Sequence, residues 1–231
     1  MAIDEGKLAG LVITKIERPS QEVIAGFRDL SASLVSDAMN RMNSMKAAIK
    51  PVSGNVHVCG PAVTVQCMVG NNIMTHKAIY VAQPGDIIVV DARGHMDTSV
   101  WGYIQTAASK VRQITAVVID GSIRDIKEIR ESGFPVFCRG AVPAGPHKGW
   151  GDNVNVTIQC GGVSVSPGDI IVGDDDGVVV VPRTIAMQVQ KLAHERAKME
   201  STWLTEVANG RSTLEILGLD KKIKDLGVKI Q

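Results

Sequence analysis

Between residues 55 and 181 the chain is broken into seven short runs of β-branched and other apolar residues, at 55–69, 86–91, 114–120, 135–138, 154–160, 170–173 and 178–181, each bounded by Gly, Pro, Asn or Asp. Runs of that length with turn residues between them predict strands. Two helical patterns interrupt them, at 98–112 (TSVWGYIQTAASKVR) and at 124–132, the second stopped by Gly133. The order is therefore strand-helix-strand in the centre and mostly strand afterwards, which defines an α/β chain. Helical spacing flanks this region on both sides. Val23, Ile24, Phe27 and Leu30, then Leu34, Val35, Ala38 and Met42, predict helix over 19–43 with a Ser-rich break. Ile185, Val189, Leu192, Met199, Trp203 and Val207 form a stripe over 184–208, with Gly210 as its stop. At ~1.5 Å per residue that helix is roughly 35 Å long, more than one small domain needs, and it is expected to reach a neighbouring subunit. No linker divides the chain. A single domain over 1–231 is expected, with its core at about 25–183 and a helical extension over 184–231.

PGDIIVVD at 84–91 returns as PGDIIVGD at 167–174. Pro followed by Gly suits a type II turn, so both copies predict a turn feeding a buried strand, without catalytic content. The repetition suggests two sheets of similar build packed together, with helices outside. Residues 141–153 (AVPAGPHKGWGDN) are rich in Gly and Pro and are expected to connect rather than to bind. Asp174, Asp175 and Asp176 ahead of Gly177 lack the alternating ligands and closing Glu of a calcium loop, and predict a tight acidic turn.

Composition removes several functions. Lys and Arg total 25 against 24 Asp and Glu, a formal net charge of +1, and no long basic run is present to follow a phosphate backbone. No apolar run approaches the ~18 residues of a membrane span. Cys59, Cys67, Cys138 and Cys160 are scattered in apolar runs without a C-x-x-C spacing, the pattern of buried reduced thiols, which predicts a cytoplasmic location. The opening MAIDEGKLAG carries acidic residues where a signal peptide needs basic and apolar ones. His57, His76, His95, His147 and His194 show no zinc-site spacing, and no G-x-S-x-G elbow or P-loop occurs.

Chemistry is best sought in VVIDGSIRDIKEIRESGFPVF, residues 117–137. An apolar strand turns at Asp120, Gly121 and Ser122, and a helix begins near Arg124. A helix start presents unpaired N–H groups and a partial positive charge, which suit an anion. Arg124 can clamp a carboxylate with two parallel hydrogen bonds, and Asp125 can give a hard oxygen to a divalent cation. By itself the dipeptide favours a plainer reading, in which Asp125 caps the helix and Arg124 makes a surface ion pair. A second stretch, DARGHMDTSVWGYIQTAASK at 91–110, also runs from a strand through a Gly-containing loop into a helix, with free N–H groups around Gly102, Tyr103 and Ile104. Two such helix starts at strand ends can converge on one small anion.

SDAMNRM (36–42), GPAVTV (60–65), PGDIIVVD, VWGYIQTAA (100–108), the 117–137 stretch and PGDIIVGDDDGVVVVP (167–182) occur in the order and spacing of the class II 4-hydroxy-4-methyl-2-oxoglutarate aldolases, which this chain resembles over roughly residues 25–215. That family also acts on 4-carboxy-4-hydroxy-2-oxoadipate and shares its fold with the regulator of ribonuclease activity A. The resemblance implies a three-layer β/β/α, swivelling-domain-like fold with outer helices. It implies a homotrimer or homohexamer with interface active sites, and Mg²⁺ or Mn²⁺ held by Asp125 with waters. It further implies a pyruvate carboxylate bound by Arg124 and by N–H groups of Gly102, Tyr103 and Ile104. A Glu from the neighbouring subunit's C-terminal helix completes the family site; its distance ahead of Gly210 assigns it to Glu200, with Glu195 second.

One residue departs from the family pattern. Its members usually carry an acid after the glycine of W-G-[DE]-L-L-A, and this chain has Tyr103. A phenol, ordinarily titrating near ~10, is no resting base at pH 7, although it can donate a hydrogen bond. Asp91 and Asp97 are candidate replacements, each with a structural role as capping or turn residue in competition. The expected activity is cleavage of a 4-hydroxy-2-oxo acid to pyruvate, with decarboxylation of oxaloacetate as a side reaction. The expected partner is the small 2-oxo acid, with neither nucleic acid nor membrane. The rival reading is a non-catalytic interaction protein of the ribonuclease-regulator kind, or a lyase for a different 2-oxo acid. No Gly-rich cradle for adenosylmethionine is present.

Overall fold

The protein is described by a computed structural model over residues 10–229, so all but the last residue of the N-terminal stretch read for a leader lies outside the described residues. Its frame is an eight-stranded sheet ordered Lys50–Pro51, Val136–Cys138, Ala116–Asp120, Ile87–Asp91, His57–Gln66, Ile170–Asp174 and Gly177–Val181, with Asn153–Val154 also paired to the long strand His57–Gln66. From Val136–Cys138 to His57–Gln66 the pairing is parallel, and the outer pairings are antiparallel. The segment ahead of Lys50 bridges the two edges: Met45 N–H donates to Val178 O at 2.8 Å and Val180 N–H to Asn43 O at 3.0 Å. The sheet is thereby nearly closed.

Closure explains why the runs are continuously apolar rather than alternating. Successive side chains of a strand face opposite ways, and here both faces are covered. Ile87, Val89, Ala116, Val118, Ile171, Val178 and Val180 share an inner core with Ile158, Cys160, Val163 and Val165 of the hairpin Ile158–Cys160 and Val163–Val165. Their neighbours Ile88, Val90, Val117 and Ile119 pack with Ala78, Ile79 and Ile129 of the helices Ile73–Val81 and Ile126–Ser132. On the other side Ile170, Val172, Val179 and Val181 pack with Phe27, Leu30, Val35, Val189 and Ala193. Those residues belong to or adjoin the helices Gln21–Ala25, Ala32–Ala38 and Ala186–Ala208.

Several expectations change in detail. The predicted helix over 19–43 is two short helices, each capped by a serine, Ser20 and Ser31. The run 154–160 breaks at Asn155, whose φ of 62° turns the chain into the hairpin. The two PGD copies do not build separate sheets, because both strands pair with His57–Gln66, Ile87–Asp91 in parallel and Ile170–Asp174 antiparallel. Their turns are alike, with Gly85 at φ 92° and Gly168 at φ 83°. The acidic turn is as expected and is also used as an acceptor: Asp174 Oδ2 takes the N–H of Ala32, and Asp175 takes those of Asn55 and Val56.

The 98–112 pattern is not one helix. Ser99–Trp101 forms a strand in a three-stranded parallel sheet with Ser122–Ile123 and Gly140–Ala141, and the helix is Tyr103–Val111. The second predicted helix, 124–132, starts later, at Ile126, and ends at Gly133, left-handed at φ 68°. The long helix Ala186–Ala208 buries Ala186, Val189 and Ala193 but leaves Met199, Leu204 and Val207 exposed, so its C-terminal half covers little of its own chain. Among the described residues no helix is long and apolar enough to cross a membrane.

Candidate active site

Three parallel elements end at one place. The strands Ser99–Trp101 and Ser122–Ile123 lie side by side, so the residues that follow them, Gly102–Tyr103 and Arg124–Asp125, are brought together. Asp125 has φ 62°, a left-handed conformation that is uncommon outside glycine and that clusters at functional sites. It stands at the start of the helix Ile126–Ser132 but its side chain makes no capping bond there. Its Oδ2 instead accepts the N–H of Tyr103 at 2.9 Å. The capping reading of Asp125 is thereby corrected, since the carboxylate is turned from its own helix onto the start of the neighbouring one.

Gly102 makes this approach possible. A Cβ at that position would lie 2.6 Å from Asp125 Oδ2 and 3.3 Å from Arg124 Cγ. On the other flank a Cβ at Gly145 would lie 2.8 Å from Arg124 Nη1. A side chain at either position would push the Asp125 carboxylate or the Arg124 guanidinium from its present place. Arg124 Nε is 3.8 Å from Asp125 Oδ2, and the side chains are 43% and 37% exposed, so neither charge satisfies the other fully.

Gly102, Arg124 and Asp125 line a cavity of about 230 Å³ with Asn72, His76, Ser99, Trp101, Ile104, Gln105, Pro146 and Lys148. Arg124, Lys148 and the N-termini of the helices Ile73–Val81 and Tyr103–Val111 give it a positive balance against Asp125, which suits an anionic ligand. Trp101 is buried beneath, its Nε1–H donating to Thr106 Oγ1 at 3.0 Å. The loop over 141–152 is a wall of the site, not the mere connection expected. It is held by Ser99 Oγ–H to Ala144 O at 2.7 Å, His147 N–H to Gly70 O at 2.8 Å and Asn71 Nδ2–H to Trp150 O at 3.1 Å.

Of the residues singled out from sequence, Gly102, Ile104, Arg124 and Asp125 meet in this cavity. Tyr103 contributes its backbone, already engaged by Asp125, and its phenol does not line the cavity. The first-turn N–H groups of Ile104 and Gln105 have no intrahelical acceptor by position, so they are the ones left for a ligand. Asp91 and Asp97 do not line it either; Asp91 is buried and accepts from Arg93 N–H at 2.9 Å. Glu200 lies elsewhere on its own chain, ion-paired with Arg196 at 3.3 Å and beside Trp203, Leu204 and Val207.

Asn72, His76, Gln105 and Lys148 were missed. The helix carrying Asn72 and His76 was not recognised because its buried face, Thr75, Ala78 and Ile79, contains a polar residue that breaks the apolar stripe. His76 had been weighed only for zinc pairing. Burial and then the positive charge of Lys148 hold its imidazole below the ordinary histidine range. The four cysteines are free, and burial pushes their thiols up, Cys59 to about 12 and Cys138 to about 11, so none is a nucleophile at neutral pH.

The donor set at Asp125 suits a small hard cation. Among the described residues no hydrogen bond reaches its Oδ1, and no group of three His, Cys, Asp or Glu side chains stands close enough to hold a metal alone. One carboxylate with waters and ligand oxygens is the way Mg²⁺ is commonly bound.

A nearly closed mixed sheet with an anion-suited cavity at the ends of its parallel strands is an architecture with known relatives. The chain belongs to the RraA-like family described as Aldolase/RraA, whose model matches residues 32–180. A Halalkalibacterium halodurans protein named "Putative 4-hydroxy-4-methyl-2-oxoglutarate aldolase" is 43% identical over 162 residues, 70% of this chain and 77% of that one. An uncharacterized Pseudomonas syringae pv. tomato protein of solved structure superposes with a TM-score of 0.76 at 26% identity, covering 87% of this chain and 99% of that one. Streptomyces coelicolor RraAS2, titled an unusual member of the RNase ES inhibitor RraA protein family, gives a TM-score of 0.73 at 28% identity, covering 82% of this chain and all 100% of its own.

Proposed function

We propose that the protein is a divalent-metal-dependent lyase that cleaves a 4-hydroxy-2-oxo acid of the 4-hydroxy-4-methyl-2-oxoglutarate type to pyruvate and also decarboxylates oxaloacetate. The observation that carries this reading is the pairing of Arg124 and Asp125 on one cavity, their charges only loosely matched to each other across Gly102. The name of the Halalkalibacterium halodurans relative points the same way.

Arg124 binds the substrate carboxylate through its planar fork, with the N–H groups of Ile104 and Gln105 beside it. That contact fixes the 2-oxo group towards Asp125. Asp125 would hold Mg²⁺ or Mn²⁺, which when bound would supply Lewis-acid polarisation of the 2-oxo group. Tyr103 N–H, at 2.9 Å, keeps the Asp125 carboxylate in place without a rearrangement during the reaction. Both reactions end in the enolate of pyruvate, whether the bond broken is C3–C4 of the hydroxy acid or the one releasing CO₂, so a single site serves both. Homotrimers or homohexamers with Glu200 of a second copy completing the site, in the cytoplasm, belong to the same proposal; the exposed C-terminal half of Ala186–Ala208 supports it.

The test is pyruvate release from 4-hydroxy-4-methyl-2-oxoglutarate and from oxaloacetate with added Mg²⁺ or Mn²⁺ and with EDTA. Release that needs the metal is expected. Release indifferent to EDTA removes the metal from the proposal. No release from either substrate together with no metal binding transfers the case to a non-catalytic interaction protein, the reading that the Streptomyces coelicolor relative's title favours.

A further inference from the structure

A 4-hydroxy-2-oxo acid cannot be cleaved unless its hydroxyl loses a proton, and Tyr103, Asp91 and Asp97 all lie off the cavity wall. His76 lies on it. The residue is half-buried in the first turn of Ile73–Val81, and its Nε2 is 3.5 Å from Asn72 Nδ2. Asn72 Nδ2 has two hydrogens and also reaches Val100 O at 3.3 Å and Gln105 Oε1 at 3.5 Å, so both can be placed without His76 and the lone pair of Nε2 is left open to a ligand. Asn72 is 3% exposed, and its Oδ1 has no hydrogen-bond partner among the described residues.

The charged groups facing His76 across the cavity are Arg124 and Asp125, after the strand Ser122–Ile123, and Lys148 from the 141–152 loop; the helix Tyr103–Val111 presents only Ile104 and Gln105 there. Burial and then Lys148 shift the imidazole towards its neutral form, and the N-terminus of its own helix acts in the same sense.

We propose that His76 is the proton-transfer residue of this site, taking the C4 hydroxyl proton of the substrate at Nε2, directly or through one water. The inference rests on the lyase reading above. As the proton leaves, the C3–C4 electron pair moves into the 2-oxo group, C4 becomes a carbonyl, and the enolate of pyruvate remains. The imidazolium then returns the proton to C3, which becomes the methyl group. One substrate gives pyruvate and one carbonyl product, with no other reactant consumed. Oxaloacetate has no hydroxyl proton to lose, since CO₂ departs instead and the enolate takes its C3 proton from solvent, so its decarboxylation depends on His76 much less.

The experiment compares wild type, His76→Ala and His76→Gln on both substrates from about pH 5 to about pH 9, with saturating Mg²⁺. For 4-hydroxy-4-methyl-2-oxoglutarate, kcat of both variants is expected to fall on the order of 10²- to 10³-fold with KM within about threefold, and the acidic limb of the wild-type profile to disappear. Oxaloacetate decarboxylation falls less than about tenfold, which shows the variants folded, and added imidazole restores part of the His76→Ala loss. An acidic limb that persists in the variants, or equal loss on both substrates, overturns the role of His76 while leaving the lyase reading standing. A wild type that releases pyruvate from neither substrate overturns both.

Discussion

Two of the Arg–Asp pairs stand at opposite ends of the parallel strands, and they are built differently. At the N-terminal end Arg18 grips Asp86 with two hydrogen bonds, 2.9 and 2.7 Å, and the side chains are 17% and 1% exposed. Asp86 Oδ2 also accepts the N–H of Gln83 at 2.7 Å, so both of its carboxylate oxygens are engaged. At the C-terminal end Arg124 and Asp125 are 3.8 Å apart and more than a third exposed, and the Asp125 carboxylate is held by a backbone N–H instead of by its arginine. The same two residue types make a closed pair that fastens the PGD turn and an open pair whose capacity is left for something else. What separates structure from function here is unspent hydrogen-bonding capacity at a cavity, not the identity of the residues.

Breaking each pair should therefore give opposite signatures. The largest effect expected is from Asp125→Ala, which removes the proposed metal-holding carboxylate: kcat/KM for pyruvate release is expected to fall on the order of 10³-fold or more and calorimetry to show weakened Mg²⁺ binding, with Tm nearly unchanged. Next, Arg124→Lys keeps the charge but loses the fork, and kcat/KM is expected to fall on the order of 10²-fold, again with little change in Tm. Asp86→Ala is the mirror case, costing about 3 kcal/mol in denaturant unfolding because Arg18 is left partly buried without its partner, while the folded fraction keeps its kcat.

Smaller changes sharpen the contrast. Gly102→Ala places a Cβ against the Asp125 carboxylate, and kcat/KM should fall roughly 10- to 100-fold as the carboxylate is displaced by a fraction of an ångström. The smallest effect concerns Asp91, an acid near the cavity end of the sheet that does not line the cavity. Burial raises its carboxyl above the ordinary value, with Asp120 adding to this and Arg93 opposing it. The folded chain therefore holds that proton more readily than the unfolded chain. The resulting stability is fully present below the ordinary carboxylate range and is lost as pH rises through the folded-state value. Asp91→Asn should accordingly raise Tm by about 2 °C at pH 7 and by less as pH falls into the carboxylate range, with pyruvate release unaffected.

The strands, the PGD turns, the acidic turn at 174–176 and the long C-terminal helix were legible because each is set by local pattern and turn chemistry. Arg124, Asp125 and Gly102 were legible because strand, turn and helix start fall within a few residues of one another. What the pattern concealed depends on contacts between distant segments. Ser99–Trp101 reads as helix because three residues are too few for a period, and only its neighbours Ser122–Ile123 and Gly140–Ala141 make it a strand. The nearly closed sheet was hidden because the edge-bridging segment ahead of Lys50 carries no strand signal of its own. Asn72, His76 and Lys148 come from a helix and a loop far apart in sequence, and only the wall they share gives them a joint meaning.

The most direct test of this account sets Arg124→Lys beside Arg18→Lys in one assay of Mg²⁺-supported pyruvate release from 4-hydroxy-4-methyl-2-oxoglutarate. The open pair should be needed and the closed pair dispensable, so Arg124→Lys loses activity on the order of 10²-fold while Arg18→Lys stays within about threefold of wild type and loses stability instead. Equal activity in the two variants, or a greater loss in Arg18→Lys, would contradict the assignment of the Arg124–Asp125 cavity as the active site.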